Sequence, residues 1–171
     1  TPLGTTVSQL WENLLAAKSG VGRITLFDAS SFPTNIAAEV RDWSIAEVGE
    51  DAEVWKDRSR HTCFAAGAAR QAVDDSGLQG SLEPPRFGVY LGAGEGGQDF
   101  YRFSEMMTAA VQSGELDTKA FVQAGMEMLD PQAELEQEPN MPVGYMAGTF
   151  DAQGPNVNCL TACAASSHAI G

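Results

Sequence analysis

The segment "GPNVNCLTACAASSHAIG", residues 154–171, passes from a turn through a strand into the start of a helix. Gly-Pro is a turn dipeptide, and the following residues 156–161, "NVNCLT", predict a short strand. Cys163 comes next, and the small residues after it predict a helix. A second strand is predicted at residues 86–91, "RFGVYL", between a proline and a glycine. Because helical segments separate the strands, the sequence predicts the α/β class.

Apolar residues at helical spacing predict two amphipathic helices. The first follows Thr6, a favourable N-cap residue, and ends at Gly20. The second runs from Trp55 to Asp75 and stops at Ser76-Gly77. Its predicted apolar face consists of Phe64, Ala65, Ala68, Ala72 and Val73. Further helices are predicted at 98–113, 118–129 and 141–150, and the acidic, proline-containing segment 127–140 is predicted to be an exposed loop.

The composition limits the classes of partner. The chain has 171 residues, of which 43% are hydrophobic, which is enough for one core. Its 10 basic and 23 acidic residues give a net charge of −13, which argues against binding to nucleic acid or to an anionic membrane. The sequence contains neither a membrane-length apolar run nor a basic leader followed by an apolar one. We therefore expect a cytoplasmic protein, and we expect residues 1–171 to be incomplete at both ends.

The cysteines and histidines do not form a recognised metal motif. Three cysteines without framework spacing predict free thiols in a reducing compartment. His61, Cys63 and His168 lack the spacing of a zinc site. We therefore predict no metal and no cofactor.

The glycine-rich sequence "GAGEGG" follows the predicted strand at 86–91 and has two interpretations. Gly92, Gly94 and Gly97 match G-x-G-x-x-G, which can cradle a pyrophosphate at a helix N-terminus. However, Asp117 lies in a polar turn, whereas a dinucleotide fold has its acidic residue at the end of the next strand. We favour a tight turn that lets the backbone approach an active site closely.

Cys163 is the candidate nucleophile. At a junction between a strand and a helix, its thiolate would face unpaired N–H groups, and its own N–H could donate to an oxyanion. The alternative is a small structural cysteine that only packs. His168 follows five residues later, which places it roughly 140° around a helix from Cys163. A general base must therefore come from elsewhere.

The same segment resembles the active-site segment of the β-ketoacyl-acyl carrier protein synthases, in which a strand leads through Thr-Ala-Cys into a helix. Other landmarks occur in the order expected for that family. They are "TPLG" with "VSQLWENLLAAKSGV", "FDASSFPTNIAAEV", "AVDDSGL", "LGAGEGG" and "NMPVGYMAGTF". The resemblance covers nearly the whole chain. It implies a thiolase-like layered α/β fold, of which this chain is a truncated N-terminal half.

The resemblance also implies a reaction. Cys163 would accept an acyl group from a thioester of acyl carrier protein or coenzyme A, and its amide would form part of the oxyanion hole. A malonyl thioester would lose carbon dioxide and condense with the acyl group, in fatty acid or polyketide biosynthesis. The family's two catalytic histidines lie in its second half, so residues 1–171 alone are predicted to be inactive in condensation. The alternatives are a non-catalytic partner of the chain-length-factor type, which typically lacks the cysteine, and a thiolase-type acyltransferase.

Three further expectations come from the resemblance. Gly94 and Glu95 are candidates for the acyl pocket, where Glu95 replaces an apolar residue common in relatives, and Glu95 either lines the pocket or turns outward. Lys56, Arg58 and Arg60 in "WKDRSRH" are candidates for docking of the acidic carrier protein, and the alternative is a solvated helix face. Residues 156–161 are the expected edge of a homodimer, because relatives pair through the strand before the nucleophile.

Overall fold

The structure is a computed structural model that describes residues 1–78, 80–94, 96–97, 99–112 and 114–171. The chain forms two compact units, Thr1–Glu47 and Val48–Gly171. In the described residues, no helix is both long enough and apolar enough to cross a membrane.

The first unit contains a helix and a short antiparallel strand pair. Helix α1, Val7–Leu15, begins after Thr6, whose hydroxyl accepts a hydrogen bond from the Gln9 N–H at 3.2 Å, as the sequence predicts. The helix ends five residues before Gly20, because Ala17 adopts a left-handed φ of 52° and its N–H bonds to the Leu14 carbonyl. The predicted end at Gly20 is therefore wrong. Strands β1, Val21–Arg23, and β2, Ile36–Ala38, pair with Val21 opposite Ala38.

The second unit begins with two helices where the sequence predicted one. Helix α2, Ala52–Trp55, is separated from helix α3, Arg60–Ser76, by residues 56–59, the last of which, Ser59, is the N-cap of α3. Helix α3 ends at Gly77, whose φ of 65° suits glycine. Its buried residues are Thr62, Ala66 and Gly67, whereas the predicted face residues Ala68 and Ala72 are exposed. The predicted apolar face is wrong, because the buried face is rotated about the helix axis from it. The buried face is the one that packs against a later helix, α7, Met141–Thr149.

Two parallel strands organise the region around Cys163. Strand β3, Val89–Gly92, pairs with strand β6, Asn156–Cys159, so that Val89 lies opposite Asn156 and Gly92 opposite Cys159. Both strands were predicted, with different bounds. The first strand begins at Val89 and not at residue 86, which lies in a 3-10 turn of residues 84–86, and the second ends before residues 160–161.

The connection from β3 to β6 is mostly helical. It consists of α4, Phe100–Ala110, the short strands β4, Val111–Gln112, and β5, Glu115–Leu116, then α5, Thr118–Met128, α6, Pro131–Leu135, and α7. The hairpin of β4 and β5 was not predicted. Helix α4 ends at Ala110, three residues earlier than expected, because Val111 is extended and pairs with Leu116. Phe103 of α4 and Phe121 of α5 contact edge to face, with 6.1 Å between their ring centres.

The segment 127–140 is mostly exposed, as its composition predicts, but it is not simply a loop. It contains α6, which is capped by the Asp130 carboxylate through the Gln132 N–H at 2.8 Å. It also contains Glu136, which is only 6% exposed. A buried carboxylate holds this segment to the rest of the second unit.

Candidate active site

Cys163 lies on a tight turn between β6 and a short helix, as the sequence pattern predicts. After Cys159 the chain leaves the sheet, forms a 3-10 turn at Ala162–Ala164, and enters helix α8, Ala165–Ile170. Cys163 is exposed on this turn.

The turn contains backbone strain immediately before Cys163. Ala162 has a φ of 48°, a left-handed conformation that costs a residue with a Cβ about 1–2 kcal/mol. The chain then closes with a hydrogen bond of 3.1 Å from the Ala164 N–H to the Thr161 carbonyl. Strain of this kind persists where surrounding contacts enforce it, and it is typical of functional turns.

His168 contacts Thr161 across this turn. Its Nδ1 lies 2.9 Å from the Thr161 hydroxyl oxygen. The sequence pattern relates His168 to Cys163 and to a possible zinc site, but it does not single out Thr161. The signal that was available is a hydroxyl residue two positions before the cysteine and a histidine five positions after it.

Gly92, the first glycine of "GAGEGG", provides space for the helix after Cys163. It is the last residue of β3 and lies opposite Cys159, and the next residue, Ala93, donates from its N–H to the Cys159 carbonyl at 3.2 Å. A Cβ at Gly92 would collide with the backbone of Ala165 and Ser166 in α8. The absence of a side chain at this position therefore lets α8 pack directly on the end of β3.

The glycine turn that follows β3 and the Cys163 turn that follows β6 lie at the same end of the sheet. Because β3 and β6 are parallel, the glycine turn and the Cys163 turn both leave the sheet at its carboxyl end. Gly94 is exposed, and a side chain there would meet no described atom within 4 Å. Glu95 lies outside the described residues. Asp117, the acidic residue of the dinucleotide interpretation, instead caps α5 by accepting from the Lys119 and Ala120 N–H groups.

The glycine turn is bonded at Gly96 to the residue that follows Glu136, and Glu136 forms an ion pair with Arg58. The Gly96 N–H donates to the Gln137 carbonyl at 3.0 Å. The neighbouring Glu136 carboxylate accepts from Arg58 Nη1 at 3.2 Å, from the Tyr145 hydroxyl at 2.7 Å and from the Ser59 N–H at 2.9 Å. Burial alone would raise the pKa of Glu136, but these hydrogen bonds and the Arg58 charge outweigh it and hold the pKa below its ordinary value.

The three predicted docking residues have different environments. Arg58 is half-buried, bonds to Glu136, and stacks 4.0 Å from the centre of the Tyr145 ring. Lys56 is exposed and pairs with Glu53 at 3.0 Å, and the exposed Arg60 lies 5.0 Å from the Phe64 ring. The guanidinium of Arg58 therefore serves an internal contact, whereas Lys56 and Arg60 lie on the surface.

Cys63 and Cys159 are less exposed than Cys163, and His61 lies on helix α3, away from the Cys163 turn. Cys63 is half-buried, its sulfur lies 3.8 Å from the Trp55 carbonyl, and burial raises the pKa of its thiol. Cys159 is half-buried on β6. The His61 Nε2 lies 3.4 Å from the Ser59 hydroxyl. Across the described residues, no three His, Cys, Asp or Glu side chains converge as metal ligands would.

The chain is similar to known 3-oxoacyl-[acyl-carrier-protein] synthases along its whole length. The family model "Beta-ketoacyl synthase, N-terminal domain" matches residues 1–171. The 3-oxoacyl-[acyl-carrier-protein] synthase 2 of Coxiella burnetii is 40% identical over 100% of this chain and 38% of that protein. The protein of the same name from Synechocystis sp. is 32% identical over the same shares. The chain thus spans about 38% of the length of these curated relatives.

A solved structure shows the same fold. "The ishigamide ketosynthase/chain length factor" superposes with a TM-score of 0.69 and 24% sequence identity, over 94% of this chain and 37% of that chain. The predicted thiolase-like α/β fold is therefore confirmed. Together with the family match along residues 1–171, this shows that the chain belongs to the β-ketoacyl synthase family and corresponds to its N-terminal domain.

Proposed function

We propose that the full-length protein is a β-ketoacyl-acyl carrier protein synthase whose nucleophile is Cys163. The observation that carries this proposal is the exposed cysteine on a strained turn between a strand and a helix, at the position of Thr-Ala-Cys in "CLTACAAS". The cysteine also favours a catalytic subunit over a non-catalytic partner.

The proposed reaction has two covalent steps. The Cys163 thiolate attacks the carbonyl of an acyl thioester of acyl carrier protein or coenzyme A, and the donor thiolate leaves and takes up a proton. A malonyl thioester then loses carbon dioxide, and the resulting carbanion attacks the Cys163 thioester carbonyl. The C–S bond breaks, which frees Cys163 and leaves a β-ketoacyl thioester. Both attacks pass through an oxyanion.

The geometry of the turn suits oxyanion binding. Cys163 is the second residue of the 3-10 turn, and the first N–H groups of a helical turn have no acceptor within it. The Cys163 N–H is our proposed donor to the oxyanion. The space around Gly94, at the same end of the sheet, is the proposed start of the acyl pocket. That Glu95 lines this space, and does not turn outward, stays a prediction.

Further parts of the enzyme are proposed to come from outside this chain. We expect the histidines for malonyl decarboxylation to lie in the remainder of the full-length protein, so residues 1–171 alone should not condense. In the described residues, β6 pairs only with β3, which leaves its other edge available for the proposed homodimer contact.

The test of the proposed function is direct detection of product. The full-length protein is incubated with malonyl-acyl carrier protein and with short, medium and long acyl thioesters, and the carrier-bound products are analysed by mass spectrometry. We expect a β-ketoacyl product two carbons longer than the acyl donor, and none when the malonyl thioester is omitted. Loss of carbon dioxide without any elongated product across the acyl series would contradict the proposal.

The surface residues Lys56 and Arg60 are the proposed docking site for acyl carrier protein. Reversing both to glutamate should weaken carrier binding about tenfold and reduce its dependence on salt, because rim charges contribute attraction that salt screens. The matched control reverses Arg86, whose side chain is 83% exposed, and the exposed Lys119, which changes the net charge equally elsewhere. Equal weakening in both double variants, measured by titration calorimetry, would show a general charge effect and no docking at this site.

A further inference from the structure

The hydrogen bond between Thr161 and His168 brackets the Cys163 turn. We propose that this pair positions Cys163, by holding the strained turn in the conformation that presents the sulfur. The proposal rests on the proposed role of Cys163 as the acylated residue. It assigns His168 a positioning role and no direct part in proton transfer.

The contact joins the two ends of the turn. Thr161 lies just after β6, and His168 lies on α8, so the 2.9 Å contact closes a loop that contains Ala162, Cys163 and Ala164. Thr161 acts on the turn twice, because its carbonyl also accepts from the Ala164 N–H at 3.1 Å. The Thr161 hydroxyl can donate to an unprotonated Nδ1 and accept from a protonated one, so the contact is compatible with either state of the imidazole.

The turn needs such support because its other local stabilisation is weak. Ala162 holds a left-handed φ of 48° without being glycine. The N-cap of α8, Ala164, provides no side-chain hydrogen bond. In the described residues, two contacts from outside the turn support it, the packing of α8 on Gly92 and the bond from Thr161 to His168.

The pair can be tested because each partner has a conservative and a disruptive replacement. In the full-length protein, Thr161→Val removes the hydroxyl at nearly constant shape, and Thr161→Ser keeps it. His168→Leu removes the ring nitrogen, and His168→Asn keeps a short polar group. His168 is exposed within residues 1–171, so its replacement removes no side chain from the buried core of this domain. Circular dichroism and thermal melts confirm that each variant is folded.

The first measurement is the single-turnover rate of Cys163 acylation by an acyl-coenzyme A thioester. We expect Thr161→Val and His168→Leu each to lower the maximal rate about 3- to 10-fold, the effect of losing one hydrogen bond, without changing the half-saturating concentration. Thr161→Ser should stay within about twofold of the parent, because it keeps the bond. The double variant Thr161→Val, His168→Leu should be no slower than either single variant, because both remove the same contact. Independent, multiplying losses would overturn the proposal, as would an equal loss in Thr161→Ser.

A second measurement separates this proposal from the proposed function. Alkylation of Cys163 by iodoacetamide is followed by peptide mass spectrometry, with Cys63 and Cys159 in the same molecules as internal references. We expect Thr161→Val and His168→Leu to slow alkylation of Cys163 relative to Cys159, and Thr161→Ser to leave the ratio unchanged. If the parent protein is never acylated but shows this pattern, the proposed function fails and the positioning pair stands. If the ratio is the same in all variants, the positioning pair is wrong whatever the acylation result.

Discussion

Replacing Cys163 by alanine in the full-length protein is expected to abolish acyl-enzyme formation and to lower the condensation rate by more than about a thousandfold. The covalent intermediate needs the sulfur, and Cys63 and Cys159 are half-buried whereas Cys163 is exposed. Intact-protein mass spectrometry after incubation with an acyl thioester measures the first effect, and product formation measures the second.

The other two cysteines provide the controls for this experiment. Cys63→Ala and Cys159→Ala should still gain one acyl mass, provided that circular dichroism shows native folding. An acyl adduct of unchanged yield in Cys163→Ala would contradict the proposed role. Loss of the adduct in Cys63→Ala with a native fold would place the nucleophile elsewhere.

Replacing Arg58 by alanine is expected to destabilise the fold by about 3 kcal/mol, the lower end of the range for breaking a buried ion pair. The Glu136 side chain is 8% exposed and would lose a charged partner, whereas Arg58 itself is 25% exposed. Chemical denaturation followed by tryptophan fluorescence measures the change. The matched control is Arg60→Ala, which removes the same charge from the exposed surface two residues away and should cost less than about 1 kcal/mol.

The Arg58 effect should also depend on pH. The folded-state pKa of Glu136 lies below its ordinary value of 4.5, so the carboxylate contributes stability that is complete above pH 4.5 and is lost as the pH falls through the folded-state pKa. The difference in stability between the parent and Arg58→Ala should therefore shrink at acid pH. A difference that is small at neutral pH, or that grows as the pH falls, would show that Glu136 does not depend on Arg58.

The sequence predicts features that are determined by neighbouring residues. A turn dipeptide, a short strand and a run of small residues were enough to place Cys163 at a junction between a strand and a helix. The N-cap at Thr6 and the helix end at Gly77 were predictable for the same reason, because capping depends on residues within a few positions.

The contacts that fix the site were not predictable in this way. Arg58 and Glu136 are 78 residues apart, and nothing local marks an acidic, proline-containing segment as the place of a buried carboxylate. The buried face of α3 is set by packing against α7, which overrides the face that alanine spacing suggested. The left-handed conformation at residue 162 was not predictable, because the residue there is alanine and not glycine.

The glycine motif illustrates the same limit. The sequence identifies the glycines of "GAGEGG", but not which of them the fold requires. In the structure, Gly92 is required because α8 lies where its side chain would be, whereas a side chain at Gly94 would meet none of the described atoms within 4 Å. The pairing of β3 with β6 produces this difference, and that pairing joins residues more than sixty positions apart.

The most direct test of Cys163 as the nucleophile is to locate the acyl group on the unaltered full-length protein. The protein is incubated with an acyl-coenzyme A thioester, digested under acidic conditions that preserve thioesters, and analysed by peptide fragmentation. We predict that the added mass lies on Cys163 and that hydroxylamine removes it, as expected for a thioester. An acyl group on Cys63, on Cys159 or on a residue other than cysteine, with Cys163 unmodified, would contradict this role.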